Sequence, residues 1–420
     1  MKNRYLPILL LCLFVSTVTV GQEIKIPKRI LEDSTYQAML REEAKRRLEN
    51  QLKWRTMMDT LNSDSLTILD AQRLKLTELP DLTRFGRIKT IRLQSNDLET
   101  IPLELLKADS LTHLHLDQNK FTKIKFPRNT SVKVLTMTQN RITIIPRSIR
   151  KLKNLKVLDL ESNNIQNIPR FLVHMDSLEE LNLNFNELQL SKKSFRRLKK
   201  IKKLSLGGNK LQSLPENVSD LKRVTHLNLG RNQLSCLPAS LVKLRNLEQI
   251  VCYKNNFNTF PDVLTKMPSL VEIDLYYNNI ETLPTELGQL KSLKRLFLSY
   301  NKIQSLPDSL GALTALRYLY VHNNRLTVFP HWVASHPQLQ RVGFGKNRII
   351  NLPDLNGMKS LTDLDVQANL IDRFPWELLD KEGMELLILK DNDFKLTNEE
   401  MEELKSREAE LDAKGFRIVF

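Results

Sequence analysis

His113, His115 and Asp117 alternate in an H-x-H-x-D run. Side chains at every second residue of an extended segment share one face, so these three could ligate a metal ion. The equivalent positions in the flanking segments are Thr90, Arg92 and Gln94 on one side and Val134, Thr136 and Thr138 on the other. None of them adds a ligand and Arg92 would repel a cation, so no metal is expected and the triad reads as polar surface. A second constellation is aromatic: Tyr253, Tyr276, Tyr277, Phe297, Tyr300, Tyr318 and Tyr320, which hold six of the chain's eight tyrosines. Arg295, Arg317, Arg341, Lys254, Lys346, Glu272 and Asp274 surround them. Exposed aromatics mixed with arginine are the composition of binding hot spots. There is no glycine-rich phosphate loop, nucleophile elbow or zinc-type cysteine pair, so no catalytic residue and no cofactor is expected. These residues point to recognition rather than to an enzyme.

The elements that must position them follow from a repeat. Asn163, Asn186, Asn209, Asn232, Asn255, Asn278, Asn301, Asn324 and Asn347 stand 23 residues apart. Before each lies an apolar pattern such as Leu293, Leu296 and Leu298. After it come an apolar residue and usually an apolar-Pro step such as Leu306-Pro307. The consensus LxxLxLxxNxLxxLP, best seen in 293–316, resembles the leucine-rich repeat family, and its length with the Leu-Pro step is similar to the Scribble-type and plant Ras-group-related repeats. The resemblance implies an α/β solenoid: a curved horseshoe with a parallel concave sheet, helical or 3-10 return segments and helical caps. The pattern gives the same reading physically. Alternating leucines face one side of a short strand, the asparagine satisfies backbone groups of neighbouring turns, and one repeat cannot bury its apolar face alone. The non-leucine strand positions then face the concave side. There Tyr253 falls opposite Tyr276, Tyr277 opposite Tyr300 and Phe297 opposite Tyr320, about 4.8 Å apart. Gly207, Gly208 and Gly230 on one side, and Gly343 and Gly345 on the other, read as low ground beside the patch.

About 15 repeats are expected over 66–396. Residues 1–21 read as a signal peptide, with Lys2 and Arg4 before the apolar run Leu6–Val20, which is too short to span a bilayer. Residues 22–65 read as a helical cap, with a helix over 34–62 carrying Tyr36, Leu40, Leu48 and Leu52. Residues 397–420 read as a C-terminal cap, opened by Thr397 and Glu400 and ending in an apolar tail. Cys252 occupies a core position and Cys236 another part of the coil, so a disulfide is not assumed. Asn129-Thr130-Ser131 and Asn217-Val218-Ser219 match the glycosylation acceptor. The net charge is +16, and the run Lys192–Lys203 is densely basic. It falls on the outer side, as a solvated face or a contact for an anionic surface. The expectation is a secreted, periplasmic or surface-exposed module. It would bind a partner protein on its concave face, or alternatively a glycan through the aromatic patch, with no nucleic acid partner and no transmembrane segment in the mature chain.

Overall fold

The computed structural model describes residues 34–60, 65–82 and 84–420. The expected signal segment, 1–21, lies outside the described residues. The chain divides into two compact units, residues 1–190 with 200–209 and residues 191–199 with 210–420. The first holds strands β1 (Ile68–Asp70) to β7 (Lys203–Ser205), the second β8 (His226–Asn228) to β16 (Arg417–Val419). Each is three residues long, and within each unit it pairs in parallel with the next. The middle residue of each strand is buried, as with Leu296 and Leu319, while its neighbours face outward. One repeat thus yields one strand with an apolar side turned into the core and a polar side left open.

The signature asparagines hold these coils together. Asn163 donates to the carbonyls of Met137 (2.9 Å) and Leu160 (3.0 Å) and accepts from the Ile142 N–H (3.0 Å). Asn278 repeats the pattern with Cys252, Leu275 and Phe257. Both amide ends are used, so the turn after each strand closes without unpaired buried backbone. The residue just before the asparagine is left-handed throughout, as at Gly208 (φ 68°), Tyr277 (56°) and Tyr300 (56°). Each Leu-Pro step then opens a short return turn. Pro307, extended, precedes the 3-10 turn Asp308–Ala312, which buries Leu310. The 21-residue step between Asn119 and Asn140 does not disturb the strand register, since His113 still pairs with Val134. The shortening is absorbed in a return segment without a 3-10 turn, where buried Asn129 bonds the carbonyls of Leu106 and Ala108.

The ends differ in detail from expectation. The N-terminal helix runs Ser34–Thr60. Among its described side chains Trp54 and Met58, one turn apart, are buried, whereas Leu48 and Leu52 are exposed. The contact there is therefore not made by those two leucines; the side chains of Tyr36 and Leu40 lie outside the described ones. The helix meets the first repeat through Gln51 to Thr77 (3.0 Å) and through Arg84, which donates to the Met58 carbonyl. At the other end Thr397 and Glu400 form a reciprocal cap for the helix Asn398–Ala413. The tail beyond it is the strand β16, parallel to β15 (Leu386–Ile388). None of the described helices is long and apolar enough to cross a membrane. Cys252 is buried, Cys236 is exposed, and both are free thiols.

Candidate ligand-binding face

The expected site residues lie in the second unit, on β9 (Gln249–Val251), β10 (Glu272–Asp274), β11 (Arg295–Phe297), β12 (Tyr318–Tyr320), β13 (Arg341–Gly343) and the turns that follow them. Strand register arranges them in rows. One row runs Gln249, Glu272, Arg295, Tyr318, Arg341, and the next Val251, Asp274, Phe297, Tyr320, Gly343. A third row and a fourth follow each strand into its turn: Tyr253, Tyr276, Ser299, His322, then Lys254, Tyr277, Tyr300, Asn323.

Two aromatic blocks form on this grid. Tyr277 and Tyr300 stack at 4.3 Å with 12° between planes, and Tyr276 packs edge-on to both, at 4.9 and 5.1 Å. Burial and the neighbouring phenols hold the Tyr276 hydroxyl above its usual range. Phe297 and Tyr320 are parallel at 5.5 Å, and His322 extends that stack at 5.9 Å. Tyr277 remains 46% exposed. Tyr253 departs from its expected pairing with Tyr276. Its ring lies over Gly230, where a Cβ would come within 2.2 Å of it, and its hydroxyl accepts from the Arg231 Nε (3.1 Å). Gly208, Gly343 and Gly345 are likewise covered. His322 lies over Gly343 and Gly345, and Phe185 over Gly208. They are seats for rings rather than open ground for a partner's backbone.

The arginines are largely engaged. Arg295 is bonded to Glu272, which also accepts from Gln249 (2.6 Å). Arg341 meets Asp363 at 3.2 Å and Glu385 at 4.0 Å. Tyr318 lies in register between Arg295 and Arg341. Arg317 stands one residue before β12, off these rows, with an exposed side chain. Sequence reading missed His322. Its Nδ1 accepts from the Gly345 N–H (3.1 Å) and lies 3.7 Å from Asp365. Burial holds its imidazole below the usual range, with Asp365 opposing and Lys346 adding to that effect. Counting 23 residues from Ser299 would have found it.

The other constellations resolve as structure. Asp117 accepts from the Thr136 hydroxyl (2.6 Å) and the Thr138 N–H (2.8 Å), and His115 bonds the same hydroxyl (3.0 Å). Among the described residues no cluster suited to a metal ion occurs. In the basic run Lys200 pairs with Asp176, Lys202 with Glu179 (3.2 Å) and Lys203 with Glu180 (2.7 Å). Both acceptor-like asparagines bury their amides: Asn129 in four hydrogen bonds, Asn217 with neither amide atom reaching solvent. Neither presents its nitrogen for modification.

Family models bear on the same repeats. One described as a leucine-rich repeat region matches residues 184–369, and one described as leucine rich repeat matches 109–165 and 130–188. Among solved structures the chain is similar to a leucine-rich repeat protein of Leptospira interrogans, with 26% identity and a TM-score of 0.70 over 86% of this chain and 97% of that one. It is similar to an internalin, InlF, of Listeria monocytogenes, with 20% identity and a TM-score of 0.58 over 82% and 94%. It is also similar to the Arabidopsis receptor kinase HAESA, solved with the peptide hormone IDA and the co-receptor SERK1, with 24% identity and a TM-score of 0.60 over 79% and 59%. None of the curated protein sequences compared matches. The matched segments together cover 109–369 without a gap, and the parallel three-residue strands and asparagine ladder are those of that repeat: the chain belongs to the leucine-rich repeat family.

Proposed function

We propose that the chain is a secreted or surface-exposed binding protein without catalytic activity, and that its partner is a protein or peptide seated on the open face of β9–β13. The observation that carries this is the pair of aromatic blocks, Tyr276/Tyr277/Tyr300 and Phe297/Tyr320/His322, standing side by side on the open face of the sheet, with Tyr277 exposed and the others half-buried, rather than in the core. Large apolar surface left open in this way marks interaction sites, and tyrosine beside arginine supplies rigid contact area with polar edges. Peptide recognition by a repeat of this fold, as in the HAESA complex, is consistent with the reading. The glycan alternative fits less well. A sugar ring stacks on a free aromatic face, whereas Tyr277 and Tyr300 spend one face each on the other.

The test uses peptides. A library of random dodecapeptides displayed on phage and selected on the purified protein should yield binders that compete with one another. The variant Tyr277→Ala/Tyr300→Ala/Tyr320→Ala should lose about 2 kcal/mol or more of that binding, roughly thirtyfold. Its melting temperature should stay near that of wild type, because these rings point away from the core. Binders held equally by the triple variant would remove the patch as the site. Hits confined to a glycan array would favour the alternative.

A further inference from the structure

Six residues, each the third of its strand, make the same local bond. Asp70, Asp159, Asn182, Asn228, Asp274 and Asp365 each accept the N–H of the residue two positions on. Asn182 (3.0 Å) and Asn228 (2.9 Å) show that a neutral amide suffices for it. An aspartate therefore adds a charge the backbone does not require. Where the chain uses one, a further polar partner usually engages the carboxylate. Asp70 meets Gln72 and Arg92, Asp159 the Asn182 side chain, and Asp365 the Gln367 amide (2.9 Å).

Asp274 is different. It accepts the Tyr276 N–H (2.9 Å), and among the described residues no side chain donates to its carboxylate. Its register neighbours in the row are Val251 and Phe297, and Tyr276 follows on its own strand. The charged and titratable groups facing it do not compensate it. Glu272 on the same strand is itself acidic, and Arg295 on β11 is bonded to Glu272. Tyr276 is held neutral, and Cys252 behind the sheet is a buried neutral thiol. A half-buried carboxylate among apolar neighbours is costly unless paired. Glu272 on the same strand, and Asp363 and Asp365 on the strand that follows β13 and pairs with it, all have side-chain partners.

We propose that Asp274 is the counter-charge for a basic side chain of the partner, an arginine or lysine whose stem lies against Phe297 and Tyr276 while its cationic head reaches the free carboxylate oxygen. The inference rests on the peptide-binding reading above and names the chemistry that reading leaves open. Arginine and lysine suit the place because their methylene stems cover apolar surface and their heads are attracted to aromatic faces. The cation must find Asp274 ionised, and burial, with Glu272 adding to it, pushes that carboxyl up to about 6. Seating the cation lowers it again, so binding releases a proton near that pH and weakens on acidification.

The same dodecapeptide selection tests this, carried out at pH 7.5 on wild type and on Asp274→Asn. Binders enriched on wild type should carry an arginine or lysine, and replacing it by citrulline or norleucine in the synthetic peptide should weaken binding at least tenfold. Asp274→Asn keeps the bond to the Tyr276 N–H, as Asn182 and Asn228 do at their own positions, and should lose the preference for the basic residue. For wild type the affinity should fall about tenfold from pH 7.5 to pH 5, and for Asp274→Asn it should stay level. Binders without basic residues, or ones that hold Asp274→Asn as tightly as wild type at pH 7.5, overturn this inference and leave the aromatic site standing. A selection that returns no binders overturns both.

Discussion

Asp274 stores a stability cost that a single substitution should release. Unfolded, its carboxyl titrates near 3.8, and in the fold burial pushes it up to about 6. The folded state therefore favours the protonated form. Well above pH 6 the group is ionised in both states and the fold bears the whole cost; well below 3.8 it is protonated in both and the cost vanishes. Asp274→Asn should accordingly stabilise the protein by about 2 kcal/mol at pH 7.5, discounted for partial solvent access, and by almost nothing at about pH 3. Urea denaturation at the two pH values measures this, and equal gains at both would show that the carboxylate is not strained. The sequence placed Asp274 among the charges around the aromatic patch. It could not show that Arg295 is taken by Glu272, because a salt bridge between rows depends on rotamers that periodicity does not encode. The 23-residue step gives the row of His322, but not that its ring lies over Gly343, which again depends on a rotamer.

At the scale of the element, the repeat was legible because its physics is periodic. Leucines at fixed offsets define the buried side of each strand, and asparagines at a fixed step define the turn. The residues between them carry no period, so the sequence gives their row but not their direction. Tyr253 shows the difference. It has the expected row, but its ring turns back over Gly230 instead of joining Tyr276, because the glycine on that side lets a flat ring lie where a Cβ would otherwise stand. The ladder itself supports a sharp expectation. Asn278 bonds Cys252 O (3.2 Å), Leu275 O (2.9 Å) and Phe257 N (3.2 Å). Asn278→Ala leaves these buried groups unpaired and should cost about 3 kcal/mol or more. Chemical denaturation reads that loss. A change below 1 kcal/mol, the size of an exposed polar substitution, would mean that water replaces the amide and that the ladder is not what closes the turn.

At the scale of the whole molecule, a stack of repeats has to end, and the way it ends was the part least visible in the sequence. The strands β1 and β16 are chemically like the strands inside their own units, yet among the described residues each has a strand partner on one side. In a solenoid each repeat is stabilised by its neighbours, so an uncovered terminal strand exposes both core and unpaired backbone. The N-terminal helix was legible as a helix, but not its burial of Trp54 and Met58, since Leu48 and Leu52 fit the helical period as well as those two do. At the C-terminus the apolar ending Ile418, Val419 and Phe420 read as a tail, but it is β16, parallel to β15, with Leu404 and Leu411 of the preceding helix buried beside Phe416 and Ile418. Truncation after residue 396 removes that strand and helix together and leaves Leu386–Ile388 as an open edge. The shortened protein should melt at lower temperature than the full chain and elute from size-exclusion chromatography as oligomer or aggregate. Substituting Leu404→Asp in the full chain should act in the same direction, because a carboxylate placed at a fully buried position would pull the helix away. A truncated protein that stays monomeric with an unchanged melting temperature would show that β15 protects its own edge and that the terminal helix and strand serve some other purpose.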